Sequence, residues 1–89
     1  MLTLSETKEF LRVDETAEDD YIGVLILLSA EIVRNFLRLG DDEELPENNS
    51  VKQAELLIIG YFFENRQGTK DAMPPAVYHL LSPYRKAEF

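Results

Sequence analysis

The stretch YIGVLILLSAEIVRNFLRLG, residues 21–40, predicts a long helix with more apolar surface than one helix contact can bury. Its apolar residues form two adjacent stripes at helical spacing, Leu25, Leu28, Ile32, Phe36 and Leu39 on one and Ile26, Ala30, Val33 and Leu37 on the next. Large exposed apolar patches are rare on monomers. Neighbouring helices on both sides, or in part another subunit, are therefore expected to cover this arc.

Signals at both ends give this helix its expected bounds. Thr16 can act as the N-cap. The acids at 18–20 would lie in the first turn, where the positive end of the helix dipole stabilises carboxylates. At the other end, the positive charge of Arg34 is favourable near the negative end of the helix dipole. Gly40 can adopt the left-handed backbone conformation that often ends a helix. The sequence predicts a helix over about 17–39.

A second long helix is predicted from VKQAELLIIGYFFENRQG, residues 51–68. Ser50 and Gln53 form a capping box that starts the helix, and the apolar run gives way after Phe63 to a polar last turn. Gly60 lowers helix stability by about 1 kcal/mol relative to alanine, which predicts the close approach of a neighbouring helix. The expected bounds are about 51–67.

Two short helices complete the predicted fold. A capping box at Thr3–Glu6 predicts a helix over about 4–12, and Pro74–Pro75 predicts another over about 74–81. No alternating strand pattern occurs in the sequence. The prediction is an all-α bundle in one domain, 1–89, in which two longer antiparallel helices are flanked by two short ones. Residues 82–89 form a tail too short and charged to fold by itself.

The chain is strongly acidic. Its 89 residues include 17 acids and nine basic residues, which give a net charge of -8, and the acids concentrate at 14–20 and 41–47. Binding of duplex DNA through its phosphates needs the opposite charge. The acidic clusters are predicted to be solvated and to keep the protein soluble. Repulsion of a passing polyanion, mimicry of DNA and attraction of a basic partner are alternative roles.

Composition also excludes several kinds of chemistry. The sequence has no cysteine, and its N-terminus lacks the basic and apolar regions of a secretory signal. No apolar stretch reaches the roughly 18 residues that cross a bilayer, so a cytosolic protein is expected. His79 has no second histidine as a co-ligand, and the loop 41–50 lacks the ligand spacing of an EF-hand. We predict no catalytic residue, metal site or cofactor.

Several side chains are instead predicted to contact other proteins. Tyr21, Val24 and Leu28 are the apolar positions expected to lie outside the intrachain helix contact. Glu64 and Arg66 form either an exposed ion pair at a helix end or a protein contact. Tyrosine and arginine are enriched at interface hot spots, and Tyr84–Arg85 follow Pro83 in the short C-terminal segment.

Four segments together resemble the small head-tail connector proteins, also called head-completion or adaptor proteins, of tailed phages and prophages. They are LTLSETKEFLRVD (2–14), EDD (18–20), VKQAELLIIGYFFENR (51–66) and LLSPYR (80–85). The resemblance implies a structural virion protein that forms a ring under the portal, extends the DNA channel and joins head to tail after packaging. It implies no reaction and no cofactor.

The resemblance also implies partners and sites. The partners are further copies of the chain, the portal protein and a downstream neck or tail-completion protein, while DNA passes through without sequence-specific binding and no membrane is involved. Assembly would occur in the host cytoplasm and the mature location would be the virion neck. The expected subunit interface comprises Tyr21, Val24, Leu28, Phe63, Glu64 and Arg66, and the expected portal contact comprises Pro83, Tyr84 and Arg85.

One alternative from another functional class remains, a free-standing acidic prophage regulator that mimics DNA and binds a DNA-binding protein. Mimicry requires carboxylates spaced along an extended face. Here the acids gather at one predicted helix N-terminus, 14–20, and in one loop, 41–47, so the connector interpretation is preferred. A small hydrolase or nuclease is a third alternative, and the sequence lacks the residues for it.

Overall fold

The computed structural model describes residues 2–40, 42–65 and 74–85. Its four α-helices are α1 (Leu4–Leu11), α2 (Asp19–Leu37), α3 (Asn49–Glu64) and α4 (Pro75–Leu81), and the 3-10 turn Ser82–Tyr84 follows α4 directly. Those described ranges contain no β-strand. The predicted class, a small all-α bundle of two longer and two short helices, is confirmed.

Helices α2 and α3 pack antiparallel through two apolar clusters. In the first cluster, Leu37 near the end of α2 packs with Val51 at the start of α3. In the second, Ile22 near the start of α2 packs with Ile59 towards the end of α3. The short helices close the two ends, because α4 adds Val77 to the first cluster and the segment before α1 adds Leu2 to the second.

The N-terminal capping box of α1 forms as the sequence predicts. The amide of Glu6 donates to Thr3 Oγ1 at 3.1 Å, and the amide of Thr3 donates to Glu6 Oε1 at 3.0 Å. The second carboxylate oxygen of Glu6 accepts from Lys52 Nζ at 2.9 Å. The cap therefore also ties α1 to α3.

Helices α1 and α2 end in the same way, in left-handed arginines. Arg12 and Arg38 have φ values of 61° and 63°. The next amides, those of Val13 and Leu39, donate to carbonyls five residues earlier, and both apolar side chains pack back against a core cluster. This is the Schellman arrangement with its usual apolar contact. The prediction that Gly40 ends α2 was wrong, because burying Leu39 requires the chain to turn earlier.

The predicted start of α2 was also wrong by two residues. The helix begins at Asp19 and not at Ala17, and its N-cap residue, Glu18, makes no side-chain capping bond. The amide of Asp19 instead donates to the carbonyl of Thr16 at 3.1 Å, which forms a turn before the helix. An ion pair of 2.7 Å between Lys8 Nζ and Asp19 Oδ1 holds this start against α1.

The cap of α3 is Asn48 and not the predicted Ser50. Asn48 Oδ1 accepts from the amide of Val51 at 2.9 Å, so the helix starts two residues before the predicted position. The prediction for Gly60 is confirmed, since a Cβ at this residue would lie 3.4 Å from Cε2 of Phe10 on α1. Asn48 thus fixes the end of the loop that precedes α3, and Gly60 leaves room for the Phe10 ring of α1.

Candidate interaction surfaces

The side of α2 opposite the core carries a row of exposed residues at helical spacing, which we call the outer stripe. It consists of Asp20, Val24, Leu27 and Glu31. Val24 is 59% exposed and Leu27 is 63% exposed, the highest values among the large apolar side chains of the described residues. Two acids thus flank an apolar centre that no described residue of this chain covers.

The structure places the predicted subunit-interface residues that it describes in different surroundings. Val24 lies in the outer stripe, whereas Tyr21, Leu28 and Phe63 are half-buried against the second cluster. The rings of Tyr21 and Phe63 are 6.3 Å apart, so they form a partly exposed aromatic pair at one end of the bundle.

Leu27 was missed by the sequence analysis. It belongs to neither buried stripe of α2 and stands three residues after Val24, which places both on one helix face. That spacing was the signal that could have identified it.

At the end of α3, Glu64 is exposed and is the last helical residue. The carbonyl of Tyr61 accepts from both the backbone amide of Asn65, at 3.0 Å, and its side-chain amide, at 2.7 Å, which fixes Asn65 at the helix end. The helix therefore ends three residues before the predicted end. Arg66, the predicted partner of Glu64, lies outside the described residues.

A shallow groove of about 300 Å³ runs beside Glu64. It is lined by Phe10, Leu57, Gly60, Tyr61, Glu64, Asn65 and Pro74. The groove lies between α1 and α3, where the Phe10 ring lies close to Gly60. Glu64 therefore stands at the rim of a mixed apolar and polar surface.

The predicted portal-contact residues lie beside the end of α2. Pro83, Tyr84 and Arg85 are exposed, and the first two belong to the 3-10 turn. Arg85 Nε donates to the carbonyl of Phe36 at 3.0 Å, and its guanidinium carbon lies 4.7 Å from the centre of the Phe36 ring. A cation at the carbonyl end of a helix is electrostatically favourable. The structure therefore holds this segment on its own chain.

Two tyrosines enlarge this surface, which we call the C-terminal aromatic cluster and define as Phe36, Tyr78, Tyr84 and Arg85. The ring of Tyr78 lies 5.5 Å from that of Phe36 and is 44% exposed, and Tyr84 is 40% exposed. Exposed tyrosine and arginine side chains are the types enriched at binding hot spots. His79, on the same helix α4, is exposed as well.

The outer side of α1 forms a groove of about 740 Å³, which we call the α1 groove. Its lining consists of Leu4, Ser5, Lys8, Glu9, Arg12, Val13 and Asp14. Lys8 is engaged by Asp19, whereas Arg12 is exposed at the end of the helix. The α1 groove and the outer stripe share no residue.

The acidic loop after α2 is held by internal hydrogen bonds. Arg34 donates through Nη1 to the carbonyl of Glu43 at 2.6 Å and through Nη2 to the carbonyl of Gly40 at 2.5 Å. The carboxylate of Glu43 in turn accepts from the amide of Gly40 at 2.6 Å. In the described part of the chain, no group of three or more histidines or acids is arranged to hold a metal ion.

Glu6 on α1 and Glu55 on α3 have pKa values that differ from the ordinary value of a glutamate. The backbone hydrogen bond from Thr3 and the pairing with Lys52 lower the pKa of Glu6 from 4.5 to about 2. Burial raises the pKa of Glu55 above its ordinary value, and its Oε2 has no hydrogen-bond partner among the described residues. Glu55 is only 2% exposed. Its pKa is raised because the charged carboxylate loses contact with water.

The comparisons with known proteins give one match. A family model described as Phage gp6-like head-tail connector protein matches residues 1–85. No curated protein and no solved structure matches the chain. The matched range includes all four helices, the outer stripe and the C-terminal aromatic cluster. Within the described ranges, none of the helices has the length and apolar character needed to cross a membrane.

Proposed function

Because the chain belongs to the family of phage gp6-like head-tail connector proteins, we propose that it forms a ring beneath the portal, extends the DNA channel and joins head to tail after packaging. The family is structural and not enzymatic, and it associates with portal and tail proteins at the virion neck. The observation that carries this proposal is the family match over residues 1–85.

The proposed subunit interface lies around the outer stripe and the neighbouring aromatic pair. Its residues are Tyr21, Val24, Leu28, Phe63, Glu64 and Arg66. The exposure of Val24 and the partial exposure of the Tyr21 and Phe63 rings support this assignment. When two different patches form the contact, successive copies are related by a rotation, and they form a ring if repeated rotations close on the first copy.

The proposed portal contact is made by Pro83, Tyr84 and Arg85. The hydrogen bond from Arg85 to Phe36 holds this segment in one place before any partner arrives. A segment that is already positioned loses less conformational entropy on binding. Residues 86–89, which lie outside the described residues, would add further contacts to the portal.

The remaining parts of the proposed function follow from charge and from the family. A net charge of -8 lets DNA pass through the ring without adhering to it. The surface of the ring that faces away from the portal would receive the downstream neck or tail-completion protein. Assembly would take place in the host cytoplasm.

The test is binding to the portal protein of the same phage, measured for the full chain and for a chain ending at Leu81. The shorter chain keeps Val77 and Leu81 in the first cluster, so it should fold. We expect the full chain to bind and the shorter chain to bind at least about tenfold more weakly. Arg85→Ala in the full chain should give an intermediate loss.

Two outcomes would count against the proposal. If the full chain neither binds the portal nor self-associates between micromolar and millimolar concentration, the connector function is wrong. If both chain lengths bind the portal equally, the C-terminal contact is wrong, although the connector function stands. Thermal melting of each variant serves as the control for folding.

A further inference from the structure

The charge pattern of the outer stripe restricts what can cover it. Asp20 and Glu31 are exposed at its two ends, with Val24 and Leu27 between them. If the stripes of two copies packed antiparallel about their centre, Asp20 would face Glu31 of the second copy. A parallel pairing would place each acid opposite itself. Like charges placed opposite each other disfavour association, so the covering surface must differ from the stripe and should supply a cation.

The described part of the chain offers one exposed cation that is free for such a contact. Most cations are engaged within their own chain, Lys8 by Asp19, Lys52 by Glu6, Arg34 by two loop carbonyls and Arg85 by the carbonyl of Phe36. Arg38 also has an interaction within its chain. Of the described lysines and arginines, Arg12 is the remaining one, and it is exposed.

The surroundings of Arg12 suit an acidic and apolar ligand. Arg12 lines the α1 groove together with the apolar side chains of Leu4 and Val13. Two cations, Lys8 and Arg12, and two acids line this groove, and Asp19 pairs with Lys8, so the formal charge of these five side chains is -1 on a chain of net charge -8. Another copy of this acidic chain is repelled less by such a surface than by a more acidic one.

The backbone at Arg12 adds a reason to assign a role to its side chain. Its φ of 61° lies in the left-handed region, where glycine is the least strained residue. An arginine here makes the helix end less stable than glycine would. The side chain makes no hydrogen bond or ion pair within the described part of its own chain in return, which is consistent with a contact outside it.

We propose that the outer stripe of one copy packs into the α1 groove of the next copy. Val24 and Leu27 would lie against Leu4 and Val13, and Arg12 would bind an acid at one end of the stripe. The contact joins two different patches, so an open row of copies has a free stripe at one end and a free groove at the other until a ring closes. This inference rests on the proposed ring function and specifies its subunit contact.

The first test compares three variants by sedimentation, alone and with the portal protein. We expect Leu27→Glu and Arg12→Gly each to weaken association between copies by about tenfold or more. Arg12→Gly should at the same time keep or raise the melting temperature, because glycine relieves the left-handed backbone. Arg38→Gly is the matched control, since it makes the same backbone change at the other left-handed arginine and should leave association unchanged.

The second test mixes the Leu27→Glu and Arg12→Gly chains. The stripe of the Arg12→Gly copy can still enter the groove of the Leu27→Glu copy, so the mixture should give one-to-one pairs and no larger assembly. Failure to form such pairs, or association of either single variant at wild-type strength, would overturn the stripe-to-groove contact.

The two proposals fail in different ways. If wild-type chains form rings with the portal and both variants do so equally, this contact is wrong and the ring function stands. If the wild-type chain neither self-associates nor binds the portal, the ring function itself is wrong, and the contact falls with it.

Discussion

Gly23 lies inside α2, where glycine makes the helix less stable than alanine would. No other described part of the chain places an atom within 4 Å of the position that a Cβ would take there. Alanine is favoured over glycine in a helix interior by about 1 kcal/mol. Gly23→Ala should therefore raise the free energy of unfolding by roughly that amount in urea denaturation.

Gly60→Ala is the matched control for this prediction. It brings the same gain in helix propensity, but its Cβ would meet the Phe10 ring at 3.4 Å. Its stabilisation should therefore be smaller than that of Gly23→Ala. An equal effect at both sites would mean that Phe10 moves away without cost.

Glu55 is a second residue whose effect on stability can be predicted from its surroundings. Burial raises its pKa in the folded chain above its ordinary 4.5. The unfolded chain then loses the proton first as the pH rises. The free energy of unfolding should consequently fall between pH 4.5 and the higher folded pKa.

Glu55→Gln should remove this pH dependence, because no buried carboxyl remains to titrate. Thermal melts across the pH range measure it. Glu44→Gln, at an exposed loop carboxyl, is the control and should leave the profile unchanged. A wild-type profile that is flat above pH 4.5 would contradict the prediction.

Among the elements, α3 allows a direct test of which residue caps it. Asn48 accepts the amide of Val51, whereas the side chain of Ser50 is not the cap. Asn48→Ala should lower the free energy of unfolding by about 1 kcal/mol, the usual cost of losing an N-cap. Ser50→Ala should change it by less than about 0.5 kcal/mol. A larger loss for Ser50→Ala than for Asn48→Ala would instead support the predicted capping box of Ser50 and Gln53.

The link between α1 and α3 should weaken in acid. The pKa of Glu6 is lowered from 4.5 to about 2, so its contribution is present above 4.5 and is lost as the pH falls towards 2. Glu6→Gln should lower the melting temperature at neutral pH, and the difference from wild type should vanish near pH 2. Glu9→Gln, on an exposed part of the same helix, should have little effect at any pH.

The helix ends differ in how well the sequence predicts them. The capping box of Thr3 and Glu6 was predicted correctly, because both of its partners are local and bond each other reciprocally. Asn48 and Ser50 are both good capping residues, and local preference does not choose between them. At the end of α2, the burial of Leu39 overrides the preference of Gly40 for the left-handed conformation.

For the whole molecule, charge predicts how the chain behaves towards DNA. With a net charge of -8, it should not bind duplex DNA even at about 0.01 M salt, where screening is weakest. It should also fail to displace DNA from a DNA-binding protein, since its acids gather in two short clusters, 14–20 and 41–47, and not along an extended face. Release of DNA from such a protein when this chain is added, measured in a gel-shift assay, would favour the DNA-mimic alternative.

The sequence alone determined the helical class, the four helices and the antiparallel packing of the long pair. Helical periodicity and short connections carry that information locally. It also indicated an excess of apolar surface on α2.

Only the tertiary structure decided where that excess lies. The same periodicity fits several rotations of α2 about its axis, and packing against α1, α3 and α4 selects one of them. That choice half-buries Tyr21 and Leu28 and leaves Leu27 exposed. It also decides which cations are used internally, because ion pairs such as Lys8 with Asp19 join residues that become neighbours only when the helices pack.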